Sequence, residues 1–202
     1  MIWNNHSNLS GTHAFLSPSQ YSWVNYDEDK LEDRINTAKA VKRGTELHNF
    51  AAIAITNRIK LPDERQTLNM YVNDGIRYLM DPEVTLFYSK WVYGTADTIS
   101  FARESDISKE VPILRIHDLK TGTNKAKLTQ LYIYAGLFCL EYQIMPKDII
   151  IITRIYQLND IYEDMPGSDI IVPIMDKIKR FSAIIEQRNL PQGEYEPWLM
   201  NI

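Results

Sequence analysis

Four consecutive isoleucines, Ile149 to Ile152, place the strongest constraint on how this chain can fold. They lie in the segment from Asp148 to Tyr156, and a short apolar run of this kind is typical of a strand that is covered on both faces. Such a strand needs neighbouring strands at its sides and other elements above and below it. The run therefore predicts a β-sheet at the centre of the molecule with helices packed against it.

Helical patterns occupy most of the chain before residue 80. Three helical regions are predicted: a short one that begins at Ser17-Pro18, a long one from Asp29 to Arg58, and one from Gln66 to Met80. Gly44-Thr45 could interrupt the long region, with Thr45 capping its second half. This part of the chain, about residues 13–80, is therefore expected to be a helical N-terminal region.

Strand-like segments follow, and helices alternate with them further on. The predicted strands are Val84–Tyr88, Trp91–Tyr93, Thr98–Phe101, Val111–His117 and Asp148–Tyr156, and the predicted helices are Lys125–Tyr142 and Ser168–Asn189. A strand–helix–strand unit after a meander predicts an α/β fold with a mixed β-sheet flanked by helices. No repeat or long linker is visible, so residues 1–202 are expected to form a single domain with its core at about 83–190.

The charge of the chain is segregated, although its net value of −4 argues against a surface that attracts nucleic acid everywhere. Two basic clusters are candidates for a local DNA-binding groove: Lys39, Lys42 and Arg43 on the long helix, and Lys125 and Lys127 further along. Solvated helix faces would give the same pattern, and this alternative stays open. Neither a secretory signal nor a membrane-spanning run is visible, so we expect a soluble, cytoplasmic protein without a membrane partner.

Two acids and a lysine carry the chemistry that we expect from this chain. Asp97 and Asp118 lie on two neighbouring strand-like runs, and Lys120 would share a strand face with Asp118 because the side-chain period of a strand is two. Carboxylates bind Mg²⁺ or Mn²⁺, and Mg²⁺ needs only a few protein ligands, so the Leu119 carbonyl could serve as a third. A cation beside a lysine suits phosphodiester hydrolysis. Asp-x-Lys alone, however, is also the pattern of a surface ion pair.

The surrounding motifs occur in a defined order. They are Gly44-Thr45-Glu46-Leu47-His48, Gly94-Thr95-Ala96-Asp97, Asp118-Leu119-Lys120-Thr121-Gly122, and Gln130 with Tyr134. In this order the chain resembles the RecB-like branch of the PD-(D/E)xK nuclease superfamily. The segment His13-Ala14-Phe15-Leu16-Ser17-Pro18-Ser19, followed by Trp23, is similar to its small phage and prophage members. The resemblance implies a restriction-endonuclease-like mixed sheet and a DNA substrate. Some members carry a four-cysteine iron–sulfur cluster, which the single Cys139, expected to be a buried apolar side chain, excludes here.

The resemblance also implies roles for residues that the spacing alone does not assign. His48 would be a further metal ligand or would organise the site, and Glu83 would be an additional acid. Gln130 and Tyr134, four residues apart on one helix face, would lie beside the catalytic residues. Simpler interpretations remain for each: a helix histidine facing solvent or core, a charge at the edge of a strand, and an aromatic side chain packed in the core.

These observations together predict a metal-dependent deoxyribonuclease, foremost an exonuclease that acts on DNA ends in phage recombination or replication. One alternative is a structure-selective or nicking endonuclease, because the same site serves both modes. Another is a nucleic-acid-binding adaptor without catalysis. The expected partners are DNA, a phage recombination or single-strand-binding protein, and a further copy of the chain. A phage-encoded protein of this kind would work in the cytoplasm of the bacterial host.

Overall fold

The structure is a computed structural model, and it describes residues 14–16, 18–102 and 111–188. The elements in it are a 3₁₀ helix at Pro18–Asn25, α1 (Glu28–Thr56), α2 (Thr67–Arg77), β1 (Asp81–Ser89), β2 (Val92–Ala102), β3 (Ile113–Leu119), α3 (Thr129–Glu141), β4 (Ile150–Gln157), β5 (Asp160–Asp164) and α4 (Ser168–Gln187). The predicted helix cap at Ser17 and the tail from 189 onward lie outside the described residues.

The chain divides into two compact units, residues 1–43 and 44–202. In the first unit, the side chain of Asp27 caps α1, since its Oδ1 accepts a hydrogen bond of 2.8 Å from the Lys30 N–H. The second unit contains the rest of α1 and all of the strands. The prediction of a single domain over the whole chain stays a prediction.

Five strands form one mixed sheet in the order β1-β2-β3-β4-β5. The pairs β1–β2, β2–β3 and β4–β5 are antiparallel, whereas β3 and β4 run parallel. Parallel neighbours need a crossover, and α3 provides it between β3 and β4. The described residues thus have an α/β architecture of four α-helices and a five-stranded mixed sheet, as the alternating patterns predicted.

Two apolar clusters hold the sheet between layers of helices. The larger one packs α3 and α4 against the sheet, through residues such as Ile116, Leu131 and Ile171. The smaller one lies where Ala51 and Ile55 of α1 and α2 residues such as Val72 meet Leu119 and Tyr156. The isoleucine-rich segment is buried only in part: Ile149 and Ile151 are less than 10% exposed, whereas Ile150 and Ile152 are half-buried.

Three features of the fold differ from the predictions. The segments predicted as Trp91–Tyr93 and Thr98–Phe101 belong to one continuous strand, β2. The helix α1 runs through Gly44-Thr45 without the predicted interruption. A fifth strand, β5, was not predicted, because its sequence Asp160-Ile161-Tyr162-Glu163-Asp164 is mostly acidic and it pairs only with β4.

The outer strand β1 has a polar contact at its free side. The N–H of Phe87 donates a hydrogen bond of 2.8 Å to Oε2 of Glu141, at the end of α3. Cys139, on the same helix, is 1% exposed, which confirms its prediction as a buried residue. Within the described ranges, none of the helices has both the length and the apolar character to cross a bilayer.

A candidate carboxylate–lysine site

Asp97 and Asp118 lie on neighbouring strands at the centre of the second unit. In the antiparallel pairing of β2 with β3, Thr98 is opposite His117, so the two acids are the next residues along each strand. Asp118 is 1% exposed and Asp97 is half-buried. The sheet therefore brings together the two carboxylates that the sequence predicted as partners.

Asp97 is held by two groups from different parts of the chain. Its Oδ2 lies 3.3 Å from Nδ1 of His48 on α1, and it also accepts a hydrogen bond of 3.0 Å from the N–H of Leu119. His48 thus reaches the site, as the resemblance implied, but its contact is with the carboxylate. Leu119 contributes its backbone N–H, and the predicted role of its carbonyl as a metal ligand stays a prediction.

Asp118 has one well-paired oxygen and one that is not paired. Lys120 donates a hydrogen bond of 3.0 Å to Asp118 Oδ1, and its ammonium also donates to Gln130 Oε1 at 3.2 Å. Asp118 Oδ2 is buried and has no hydrogen-bond partner among the residues that the structure describes. A buried polar atom without a partner costs free energy, so this oxygen is a candidate contact for a bound group.

Gln130 and Tyr134 extend the site along α3. Gln130 Nε2 donates to the Tyr134 hydroxyl at 3.4 Å, and this hydroxyl donates to the backbone oxygen of Thr95 at 2.6 Å. Gly94 permits the approach of α3, because a Cβ atom placed there would lie 3.1 Å from Cε1 of Tyr134. The contact with Tyr134 therefore gives a steric reason for glycine at position 94, which the sequence alone did not reveal.

A second glycine has a similar function beside Lys120. A Cβ atom placed on Gly44 would lie only 2.9 Å from Oγ1 of Thr121. The buried Gly44 thus lets α1 approach the segment that follows β3. This contact links the Gly44–His48 motif to the Asp118–Gly122 motif. The first motif contains His48, which contacts Asp97, and the second contains Lys120, which contacts Asp118.

The electrostatics of the site disfavour two ionised carboxyls. Burial raises the pKa of Asp118, and the charge of Asp97 raises it further, while Lys120 and His48 oppose the shift. Burial likewise raises the pKa of Asp97, against the hydrogen bond from Leu119 and the charges of His48 and Lys120. A positive group bound between the two acids would relieve this repulsion.

Glu83 lies close enough to add to this negative charge. It raises the pKa of Asp97, although it is the weakest of the five influences on that group. Its side chain is exposed, and its φ of 55° is in the left-handed region, which is uncommon for a residue other than glycine. The same left-handed φ occurs at five other non-glycine residues of the described chain, so it does not set Glu83 apart from a surface charge, and its role as an additional acid stays a prediction.

The donors present fit a divalent cation only in part. The unpaired Asp118 Oδ2 and the neighbouring Asp97 carboxylate are oxygen ligands of the type that Mg²⁺ or Mn²⁺ prefers. However, no group of three or more His, Cys, Asp or Glu side chains in the described part of the chain is arranged to hold a metal ion. Within the site, His48 contacts Asp97 and Lys120 contacts Asp118. The predicted three-ligand set stays a prediction.

The basic residues predicted to bind DNA are exposed. Lys39, Lys42 and Arg43 lie on the part of α1 that belongs to the first unit. Lys125 and Lys127 lie in the loop before α3, and the ammonium of Lys125 is 5.8 Å from the centroid of the Tyr162 ring. Their role in binding DNA stays a prediction.

A second polar cluster, which the sequence analysis missed, lies on the other face of β3 and β4. Tyr156 donates to Asp74 Oδ2 at 2.7 Å, and Arg154 donates to the same oxygen at 2.9 Å. His117 Nδ1 lies 3.2 Å from the Tyr156 hydroxyl. Because the one hydroxyl proton of Tyr156 goes to Asp74, His117 is the donor in this contact. The partners are about 40 to 80 positions apart in sequence, so no local pattern links them.

Tyr71 is a further residue near the site that the sequence did not single out. It is 3% exposed on α2, and its ring packs edge-on against Tyr156 with 5.4 Å between centroids. Burial raises its pKa well above the usual range, and the charge of Asp97 is the next cause. The Tyr71 hydroxyl therefore remains protonated in the neighbourhood of Asp97 and Asp118.

Comparison of the chain with protein-family models, with curated proteins and with solved structures finds no match. The candidate site consequently rests on its own geometry.

Proposed function

We propose that this protein is a metal-dependent nuclease that hydrolyses DNA phosphodiester bonds with Asp97, Asp118 and Lys120. The observation that carries the proposal is the buried Asp118 carboxylate, with Lys120 on one oxygen and no partner for the other among the described residues. Acids kept side by side in spite of burial and repulsion are typical of functional sites. The parallel β3–α3–β4 unit supports a restriction-endonuclease-like core, because it places the Gln130 helix beside the acids.

When bound, a divalent cation would neutralise charge on the phosphate and make a water molecule more nucleophilic. Asp97 and Asp118 would hold it, and His48 and the Leu119 N–H keep Asp97 in position. The ammonium of Lys120 is placed to stabilise negative charge that develops on the phosphate oxygens. Gln130 keeps that ammonium at the site through its 3.2 Å hydrogen bond. Tyr134 links α3 to β2 through the Thr95 carbonyl.

An exonuclease that acts on DNA ends is the leading form of this proposal, and an endonuclease is its alternative. End-labelled linear duplex and closed circular DNA would be incubated with the protein and Mg²⁺ or Mn²⁺. Loss of linear DNA alone indicates an exonuclease, whereas cutting of the circle indicates an endonuclease. Lys120→Ala should abolish both activities. Lys179→Ala is the matched control, because this lysine lies on α4 in an exposed contact with Asp176.

Binding of nucleic acid without cleavage is a second candidate function, and one observation favours it. His48 contacts Asp97 and Lys120 pairs with Asp118, so each acid already has a basic side chain beside it, and no three-ligand metal cluster occurs among the described residues. If the protein binds DNA but leaves linear, circular and single-stranded DNA intact with either metal, this function replaces the nuclease proposal.

A further inference from the structure

The outward face of the β1–β2 hairpin carries an exposed aromatic pair. Phe87 and Tyr93 are directly opposite each other in the pairing of the two strands, and they are 50% and 63% exposed. Their rings are stacked, with 6.3 Å between centroids and an interplanar angle of 28°. Large aromatic side chains at this exposure are costly to leave in water, so a ligand that covers them would be stabilised.

The aromatic pair is continuous with the candidate site. Tyr93 and Thr95 alternate along β2 with the more buried Gly94 and Ala96, so these two exposed residues share the outward face, and Asp97 follows two positions after Thr95. Thr95 pairs with Thr85 across the hairpin, and their hydroxyls are 3.0 Å apart. At about 3.3 Å per residue, Tyr93 lies about 13 Å from Asp97. An uncharged track thus leads from the rings to the acid.

The tip of the hairpin is fastened to α4. The Ser89 and Ser182 hydroxyls are 2.7 Å apart, and Lys90 forms an ion pair of 3.1 Å with Glu186. Glu186 also accepts a hydrogen bond from the indole N–H of Trp91. Because both ends of the track are anchored, at the tip by α4 and near the site by the Tyr134–Thr95 hydrogen bond, the aromatic pair is a fixed surface.

We propose that Phe87 and Tyr93 form a stacking platform for unpaired nucleobases of a single-stranded nucleic acid, whose backbone continues along Thr95 to the Asp97–Asp118 pair. This inference rests on the proposed function for the position of the reacting phosphate. Bases in a duplex already stack on one another, so an open ring face recognises bases that have left the helix. At a stacked rise of about 3.4 Å per nucleotide, the platform lies no more than about four nucleotides from the phosphate.

A stacked cross-strand pair also stabilises a hairpin, and the test has to separate that role from base stacking. Tyr93→Val and Phe87→Val remove the rings but keep a side chain that favours strands. Phe181→Val is the matched control, because Phe181 is 47% exposed on α4. Each would be combined with Asp118→Asn to prevent cleavage, and the melting temperature of each would verify that the protein is folded.

Binding of a fluorescein-labelled oligothymidylate would be measured by anisotropy, beside a blunt duplex. We expect Tyr93→Val and Phe87→Val each to raise the Kd for the single strand about tenfold, which matches the loss of one base–aromatic contact. The Kd for the duplex should be unchanged in both variants. The Phe181→Val protein should bind the single strand and the duplex as the parent protein does. An abasic nucleotide at one position should cause a similar loss, and it should add little to the Tyr93→Val effect.

The platform is refuted if the parent protein does not bind the single strand. It is also refuted if the Val variants bind the single strand as the parent does, or lose duplex binding equally. The two proposals can fail separately. If the protein cuts no DNA but Tyr93→Val weakens its binding of single strands, the platform is supported and the nuclease proposal is refuted. If the protein cuts single strands and Tyr93→Val leaves the KM unchanged, the nuclease proposal is supported and the platform is refuted.

Discussion

His117 and Asp118 are neighbours on β3, but they belong to polar clusters on opposite faces of the sheet. His117 joins Tyr156, Asp74 and Arg154, where the guanidinium pairs with Asp74 and also with Glu163. Asp118 faces a second carboxylate, and burial and that neighbour raise its pKa. The first cluster arranges opposite charges around shared hydrogen bonds. The second places like charges together, at a cost in folding free energy.

The difference teaches which cluster stabilises the fold and which serves another purpose. The Asp74–Arg154 pair connects α2 to β4, and burial lowers the pKa of His117, which therefore stays neutral in the core. The carboxylate–lysine site also links elements, since His48 of α1 contacts Asp97 and Gln130 of α3 contacts Lys120, but two acids adjoin each other there. Each cluster leaves one buried atom without a partner among the described residues, His117 Nε2 and Asp118 Oδ2. Proteins retain such destabilising arrangements where function requires them. The comparison leads to three predictions.

The largest effect is expected from Asp118→Asn. If Asp118 acts as proposed, nuclease activity should fall by about 10³-fold. The melting temperature at neutral pH should nevertheless rise, because the folded protein holds this carboxyl at a raised pKa and so disfavours its ionised form. The ionised carboxyl of Asp118 destabilises the folded protein, and this destabilisation reaches its full size as the pH rises through the raised pKa. It is absent below the pKa of an aspartate in the unfolded chain, about 3.9.

Thermal unfolding of both proteins across a pH series would test this prediction. The two melting temperatures should converge at acid pH and separate as the pH rises. A lower melting temperature for Asp118→Asn at neutral pH would mean that the Lys120 contact outweighs the burial of the carboxylate, and the comparison between the clusters would then fail.

Tyr156→Phe is expected to have an intermediate effect, on stability alone. The substitution removes the donor to Asp74 and leaves His117 Nδ1 without its acceptor, at a cost of about 1–3 kcal/mol. Urea unfolding would measure this loss. Tyr93→Phe is the matched control, since Tyr93 is 63% exposed and its hydroxyl should contribute less than about 0.5 kcal/mol. Nuclease activity of the folded Tyr156→Phe protein should be unchanged; a large loss would show that the two clusters act together.

The smallest effect is expected where α1 meets the loop after β3. Alanine in a helix interior is favoured over glycine by about 1 kcal/mol, but at Gly44 the added Cβ would meet Thr121 Oγ1 at 2.9 Å. Gly44→Ala alone should therefore give little or no stabilisation. In a Thr121→Ala background the same change should stabilise the protein by about 0.5–1 kcal/mol, measured by urea unfolding. Equal effects of Gly44→Ala in both backgrounds would indicate that the contact with Thr121 does not reduce the stabilisation by alanine.

The sequence predicted the parts of the fold that local patterns determine. The strand around Ile149–Ile152, the α/β class and a helix before that strand all follow from hydrophobic periodicity and strand propensity, although the helix predicted from Lys125 begins at Thr129. β5 was missed because an outer strand with three acids lacks the apolar alternation that marks a strand. The predicted interruption of α1 was wrong, since the propensity of one glycine is a weak signal and packing against Thr121 decides it.

The candidate site was predictable for a different reason. Lys120 directly follows β3, two residues after Asp118, and Gln130 and Tyr134 are four apart on one helix, so their spacing already implies proximity. The contact of His48 with Asp97 depends on the crossing of α1, and the left-handed backbone at Glu83 depends on the pairing of β1. Neither has a local sequence signal.

The hydrogen bond between Phe87 and Glu141 has a consequence for association between molecules. β1 and β5 are the two borders of the sheet, and an open border can recruit a strand from another chain and start aggregation. At β1, the carboxylate of Glu141 already occupies the N–H of Phe87. At β5, Asp160 and Glu163 are held in ion pairs with Arg65 and Arg154, and Asp164 accepts a hydrogen bond from Tyr132. An incoming strand would have to displace a carboxylate at β1 or approach these charged side chains at β5, so both borders discourage intermolecular β-pairing.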